Sequence, residues 1–258
     1  MPPNIRAIRN KIRSVENTSQ ITKAMKMVAA SKLRRSQDRA ASILPYSRMI
    51  LTTINRLISD KDIKHILIDD RDIQRHGYFI ITSDRGLAGG YNSSLFRTLD
   101  GELKDKNPDN YFLMSTGSKG NEILPQRGYK LHDTFMSLKD MPAFSDIDRI
   151  TSDLIDFYIK QKYDRLSLLF NRFISPLVQQ PVILPFLPLK AIQSQKEAEN
   201  SYDMKYGWYD YEPNKKEIVH DLVMRCAKAQ IYSAFLEARA SEFAARMNAM
   251  SQATDNAL

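Results

Sequence analysis

The 258-residue chain carries a formal net charge of +8 with 43% hydrophobic residues, enough for one or two cored domains and basic enough to expect an acidic partner. Its one cysteine, Cys226, excludes a disulfide framework, and the histidines at 65, 76, 132 and 220 stand singly, so neither a metal site nor a cofactor is expected. The charged first residues lack the apolar stretch of a secretory signal, and the longest apolar run, 181–189, is too short to span a bilayer, so the chain is expected to be soluble or at most peripheral to a membrane.

The first element is a long helix. Residues 4–44 contain no Gly or Pro, and Ile5, Ile8, Ile12, Val15, Thr18, Ile21 or Thr22, Met25, Val28 or Ala29, and Ser31 or Lys32 follow three- and four-residue steps. The basic excess concentrates here, in Arg6, Arg9, Lys11, Arg13, Lys23, Lys26, Lys32, Arg34, Arg35 and Arg39, opposed only by Glu16 and Asp38. On charge alone, nucleic acid, an anionic membrane face and an acidic protein surface all remain open as partners.

A different pattern follows. Apolar runs of strand length occur at 78–82, 111–115 and 166–170, with helical patterns at Leu95, Phe96, Leu99 and Leu103, at 118–126 and at 148–162. Their alternation predicts a small Rossmann-like α/β domain with a mainly parallel sheet, to which 182–184 adds a strand after a turn at Pro176. The Gly-rich loop 82–92 invites a phosphate-binding reading, yet it contains neither GxGxxG nor GxxxxGK[ST]. A tight strand-to-helix turn accounts for its glycines, as it does for Gly117 and Gly120. No triad or carboxylate pair is legible, so catalysis is not expected.

Residues 194–211, polar and then rich in Tyr and Trp, form the connector, and their acidic members argue against a nucleic-acid groove. The last element is again helical, with Pro213 placed for its first turn. Ala229, Leu236, Phe243, Met250 and Ala257 recur every seven residues, with Ser233, Ala240, Met247 and Thr254 on the adjoining row. At 1.5 Å per residue the stretch 212–258 is roughly 70 Å long, too long for most of it to lie on one compact core. Two rods, one from each terminus, predict an antiparallel coiled coil in which Ala24, Ala29, Ala30 and Ser31 approach Ala238, Ala240, Ala244 and Ala245; the alternative is two ordinary amphipathic helices over a core. The expected organisation is 1–60 N-terminal helix, 61–193 α/β domain, 194–211 connector and 212–258 C-terminal helix. On the last helix Cys226 is expected to be a packing residue.

Three separated blocks resemble the signatures of one family. Residues 12–18 with 21–32 (ITKAMKMVAASK), the loop 83–92 (SDRGLAGGYN), and Glu242 with 245–247, Met250 and 253–256 are similar, in this order, to those of the gamma subunit of F-type ATP synthase, in wording that looks bacterial. The resemblance implies a central rotor shaft: an antiparallel coiled coil of the terminal helices inside a head of alternating alpha and beta subunits. The α/β domain would protrude below, near the epsilon subunit and the membrane rotor ring, at the cytoplasmic face of the bacterial plasma (inner) membrane. The resemblance places catalysis in beta, with no cofactor held by this chain.

By position, the resemblance makes Met25, Lys32, Arg34, Arg35 and Arg246 candidate partner-binding residues, Met25 passing the narrow part of the head and the basic run meeting acidic beta loops. Ala88 stands where the family often has Cys. Family members continue for several helical turns beyond 254–256, so a shortened last helix is expected, ending without a Gly or Asn cap and with Asp255 opposing the helix dipole. Two readings of other classes are a nucleotide-binding enzyme using the Gly86–Gly90 loop and a basic coiled-coil protein that binds nucleic acid.

Overall fold

The computed structural model describes residues 5–58, 64–135, 138–189 and 214–257. The long helix α1 (Ile5–Ile58) is followed by β1 (His76–Ile81), α2 (Tyr91–Leu103), β2 (Tyr111–Thr116), α3 (Ser118–Gln126), β3 (Leu131–Phe135), α4 (Phe144–Ile159), β4 (Arg165–Phe173), β5 (Gln179–Leu187) and the second long helix, α5 (Lys215–Asp255). The strands form one sheet in the order β3-β2-β1-β4-β5, parallel except for β5, which returns antiparallel to β4. The connector expected at 194–211 lies outside the described residues.

Successive side chains of a strand point to opposite faces, and both faces of this sheet are covered. Phe79, Ile81, Phe112, Met114, Leu168 and Phe170 join Ile147, Ile150, Leu154 and Ile155 of α4 and residues Val219 to Ala238 of α5 in one core, which also takes Ile50 and Ile54 of α1. Tyr78, Ile80, Leu113 and Leu169 pack on the other side with Leu95, Phe96 and Leu99 of α2 and Leu124 of α3. β3 has no counterpart in the sequence reading. It is an edge strand whose Leu131, His132 and Asp133 are half-buried, so its run lacks the continuous apolarity that marks the inner strands.

The two long helices pair antiparallel. Thr22 and Thr254 share a hydroxyl hydrogen bond of 2.7 Å, Lys26 donates to Ser251 at 2.9 Å, the Lys32 ammonium stands 5.7 Å over the Phe243 ring, and Arg39 donates to the Tyr232 hydroxyl at 2.9 Å. As one residue number rises the other falls, which fixes the direction. Ala229, Leu236, Phe243 and Met250 of the heptad row are buried as expected, and Cys226 packs among them. On α1 the small residue that is buried is Ala29, next to Leu33 and Ser36, whereas Ala24 and Ser31 face outward.

Three expectations need correction. The last helix is not free of the core: from Cys226 to Ala244 most of its side chains are buried all around, because α1 covers one side and the sheet and α4 the other. Its start is set by Asn214 rather than by Pro213, which lies outside the described residues: the Asn214 side chain accepts the Glu217 N–H while Glu217 accepts from the Asn214 amide. At the other end the Asn256 N–H bonds to the Gln252 carbonyl and the Ala257 N–H to that of Thr254, with Asn256 in ordinary right-handed helical angles. The early α1 stripe is exposed, with Ile5 at 71% and Ile12 at 53%, since Thr22 is already opposite Thr254 and no α5 turn among the described residues reaches the turns before it.

Phe243 is 1% exposed, so truncating it leaves a cavity that the rigid backbones of two helices close only in part. Phe243→Ala should cost about 3 to 5 kcal/mol in urea unfolding. A loss below about 1 kcal/mol would show that the seam is not packed there.

Beneath α2 the ring of His76 is stacked on Tyr78 at 4.3 Å and its Nε2 meets Ser167 Oγ at 2.9 Å, beside a cluster in which Lys106 and Tyr78 both donate to Glu102. Burial first, then the Lys106 charge, lowers the His76 pKa to about 4. The unfolded chain therefore binds the proton first, and this contribution to stability is complete above the ordinary imidazole value of about 6.5 and is lost as pH falls toward about 4. Urea midpoints should fall over that window and fall less in His76→Gln; equal slopes in both proteins would remove His76 from the account.

Candidate partner interface and the shaft lock

The Gly-rich loop follows β1 and enters α2, as a turn between a parallel strand and its helix must. Leu87 and Gly89 both take positive φ, 61° and 53°, and a Cβ on Gly89 would sit 3.7 Å from the Cβ of Ala249 on α5. The loop's polar groups are spent on the protein itself. Asn92 accepts the Ser83 N–H and donates to the Ser83 hydroxyl, and Asp84 accepts the Ser118 N–H at the start of α3. Gly117 makes that start possible: its φ is +93°, and a Cβ there would lie 2.4 Å from the Thr82 carbonyl oxygen.

Asp84 also reaches the shaft. The Arg239 guanidinium of α5, 6% exposed, donates to Asp84 at 3.0 Å, to Glu242 at 2.7 Å and to the Leu138 carbonyl at 2.9 Å. Glu242, 5% exposed, accepts from Arg246 at 2.8 Å as well, and Arg246 continues to the carbonyls of Arg85 and Gly86 at 3.3 and 3.4 Å. Burial works against the Arg239 charge and the two carboxylates outweigh it, leaving its pKa raised. Tyr91, at the head of α2, adds a buried hydroxyl bond to the Ala238 carbonyl. One buried network thus holds the second sequence block against the third. No spacing rule brings Asp84 and Arg239 together, 155 residues apart, and this is why the network was not legible in the sequence.

Of the five candidate partner residues, Arg34 and Arg35 lie exposed on α1 and Met25 is half-buried three residues after Thr22. Lys32 is engaged within the chain, in a 2.5 Å ion pair with Asp140. Arg246 belongs to the buried network and stands apart from the basic run. Residues 138–148 run across both helices: Asp140 meets Lys32 and Met141 accepts from Ser36 on α1, while Pro142 accepts from Tyr232 and Asp148 pairs with Lys228 on α5.

A crevice of about 310 Å³ lies between the loop and α5, lined by Ala88, Gly89, Gly90, Tyr91, Ser94, Asn171, Gln179, Ala245, Asn248, Ala249 and Gln252. No charged side chain lines it, which ill suits a nucleotide phosphate. No cluster of three or more candidate metal ligands occurs among the described residues.

A family model described as ATP synthase matches residues 4–258. The ATP synthase gamma chain of Brevibacillus brevis is 40% identical over 260 residues, covering 100% of this chain and 88% of that one. The chain belongs to the ATP synthase gamma chain family. It is accordingly a non-catalytic stalk subunit. The central stalk of the Tetrahymena thermophila mitochondrial ATP synthase superposes with a TM-score of 0.68 at 24% identity, over 90% of this chain and 99% of that one. The rotor of the Euglena gracilis mitochondrial enzyme gives 0.66 at 22%, over 98% and 91%. At these identities the likeness concerns the fold: a coiled coil of terminal helices with an inserted sheet domain.

Removing Arg239 leaves buried Glu242 with Arg246 as its remaining cation and takes the guanidinium from Asp84, and breaking a buried pair from one side costs about 3 to 5 kcal/mol. Arg239→Ala should lose stability in that range by denaturant titration, and Arg35→Ala, on the exposed face, should lose less than about 0.5 kcal/mol. Equal losses would mean that the network holds nothing together.

Proposed function

We propose that this gamma-family chain is the central rotor shaft that couples ion-driven rotation to ATP synthesis on beta subunits. The observation that supports this most strongly is the buried Asp84–Arg239–Glu242–Arg246 network, which fastens the α/β domain to two antiparallel helices of 54 and 41 residues. At 1.5 Å per residue these helices are about 80 and 60 Å long, and a shaft of that length transmits torque only if the domain driven at one end cannot turn against it. The partners are the alpha and beta subunits of the head, the epsilon subunit and the membrane rotor ring. An asymmetric shaft presents a different face to each beta subunit and so biases equivalent sites toward different affinities.

In this reading residues 1–60 and 212–258 are the shaft helices, 61–193 the domain at its foot and 194–211 the connector. Met25, Arg34, Arg35 and Arg246 are partner contacts, and Lys32 joins them by leaving Asp140. The chain acts at the cytoplasmic face of a bacterial inner membrane as a peripheral subunit. No described helix is long and apolar enough to cross a membrane.

Exposed ion pairs contribute about 0.2 to 1 kcal/mol each, so no single charge should decide assembly. In the complex assembled with its alpha and beta subunits and reconstituted in vesicles, Lys32, Arg34 and Arg35 replaced together by Gln should lower ions pumped per ATP more than hydrolysis itself. Unchanged stoichiometry across a range of salt concentrations would detach these charges from coupling, and failure of the unaltered chain to enter such a complex would overturn the shaft assignment.

A further inference from the structure

Two histidines that the shaft seam and the loop network do not use meet at the foot of the coiled coil. His65 opens the turn that leads from α1 toward β1, and His220 lies in the second turn of α5. Their ring centroids are 5.3 Å apart, and His65 Nε2 is 3.0 Å from His220 Nδ1. The other nitrogen of His65, Nδ1, lies 3.2 Å from the backbone N–H of Leu67. A backbone N–H is only a donor, so Nδ1 must be the bare nitrogen and the proton of His65 must sit on Nε2. That proton is donated to His220, whose Nδ1 is therefore bare in turn. One arrangement satisfies all three groups: both rings neutral, each carrying its proton on Nε2.

The contact joins three segments. Leu67, 1% exposed, belongs to the main core, and its carbonyl accepts the N–H of Leu189, just beyond β5, at 2.6 Å. The amides of Ile68 and Asp69 turn back to the His65 carbonyl, and Val219 and Val223 flank His220 in the same core. The entry to β1, the exit from β5 and the start of α5 are thus tied within a few residues of one imidazole pair.

We propose that His65 and His220 form an acid-opened latch, which releases the first turns of α5 from the turn at residues 65–69 when either ring takes a second proton. A proton on His220 Nδ1 sets N–H against N–H; a proton on His65 Nδ1 does the same against Leu67. Either event removes a hydrogen bond and adds a repulsion. Among the described residues, the charges around the pair do not cancel this. Burial and the His220 ring hold the His65 pKa below its ordinary value, and Asp69 only partly opposes them. Lys64 precedes His65 in the turn, and Lys216 precedes His220 by one helical turn. On α5 Glu217 is occupied by Asn214 and Asp221 by Arg225 at 2.7 Å. The core cluster that holds Leu67, Val219 and Val223 also takes Ile50 and Ile54 from α1 and Leu187 and Leu189 from the β5 end, all apolar. The head-end contacts, Thr22 with Thr254 and Lys26 with Ser251, contain no imidazole, so the opening is confined to the foot. The inference rests on this geometry and not on the rotor assignment.

Amide hydrogen exchange on the full chain, expressed as protection relative to the intrinsic rate at each pH, tests the latch between about pH 7.5 and pH 5.5, the range over which imidazole titrates. Protection at Leu67 and at residues 218–222 should fall by about five- to tenfold, the equivalent of one neutral hydrogen bond, beyond any fall in β1 and α2. His65→Leu should show the lowered protection at both ends of the range. Constant protection in the unaltered chain, or a His65→Leu variant that follows the same pH dependence, overturns the latch and assigns the response to global linkage through groups such as His76. His220→Leu, changed on the exposed side of the helix, gives an independent reading by imidazole NMR: the His65 midpoint should rise once its neighbour's charge is gone, and an unmoved midpoint overturns the coupling.

Discussion

The constraint on which this molecule turns is that α5 has two neighbours at one level. Along Cys226 to Ala244 it packs against α1 on one side and against the sheet and α4 on the other, and most of its side chains are buried. A helix with one wet face would show an apolar stripe; this one needs small or apolar residues nearly all the way around. The run of alanines at 227, 229, 234, 238, 240 and 244 answers that need, because small side chains let two backbones and a sheet crowd a single helix. The charged residues that remain within the crowded stretch are held by partners: Lys228 by Asp148, Glu237 near Arg172, and Arg239 and Glu242 by each other.

That crowding also explains why a buried ion network, a costly device, occurs at the crossing of loop and shaft. Apolar packing is non-directional, and a helix lined with alanine has several rotations of similar energy against a sheet. Arg239 removes that freedom. Its two terminal nitrogens donate to Asp84, Glu242 and the Leu138 carbonyl, and because Glu242 shares the helix with it, a rotated α5 would keep that pair but take the guanidinium away from Asp84 and the Leu138 carbonyl. The stability gained relative to an apolar substitute is small, and what is gained is a single rotational setting of domain on shaft. Tyr91 and Gly89, which touch α5 from the same loop, work in the same direction.

Legibility followed the range of the interactions. The heptad row of α5, the inner strands and the turn character of the Gly-rich loop are local patterns, and the structure agrees with each. β3 escaped notice because an edge strand has one neighbour and tolerates His132 and Asp133. The early α1 stripe of Ile5, Ile8, Ile12 and Val15 read as buried because periodicity reports which residues share a face, not whether anything covers that face. Arg246 is singled out by its block alone, and the fold adds what no block shows, its guanidinium on Glu242 and the loop carbonyls. The joining of Asp84 to Arg239, and of His65 to His220, depends on tertiary closure over 155 residues in each case.

The two ends of the coiled coil are built from different chemistry, and this sets where the shaft can yield. Near Thr22 and Thr254 the helices are joined by hydroxyls and a lysine, with no imidazole in these contacts. In the middle, Phe243, Leu33 and the Arg239 network combine apolar burial with paired charges, and buried pairs are little screened by salt. At the foot the joint is a pair of neutral imidazoles that tolerates only one protonation state. A shaft stiff at the head and lock but conditional at the foot can keep its register while the foot adjusts, since loosening the first turns of α5 leaves every contact above Cys226 in place.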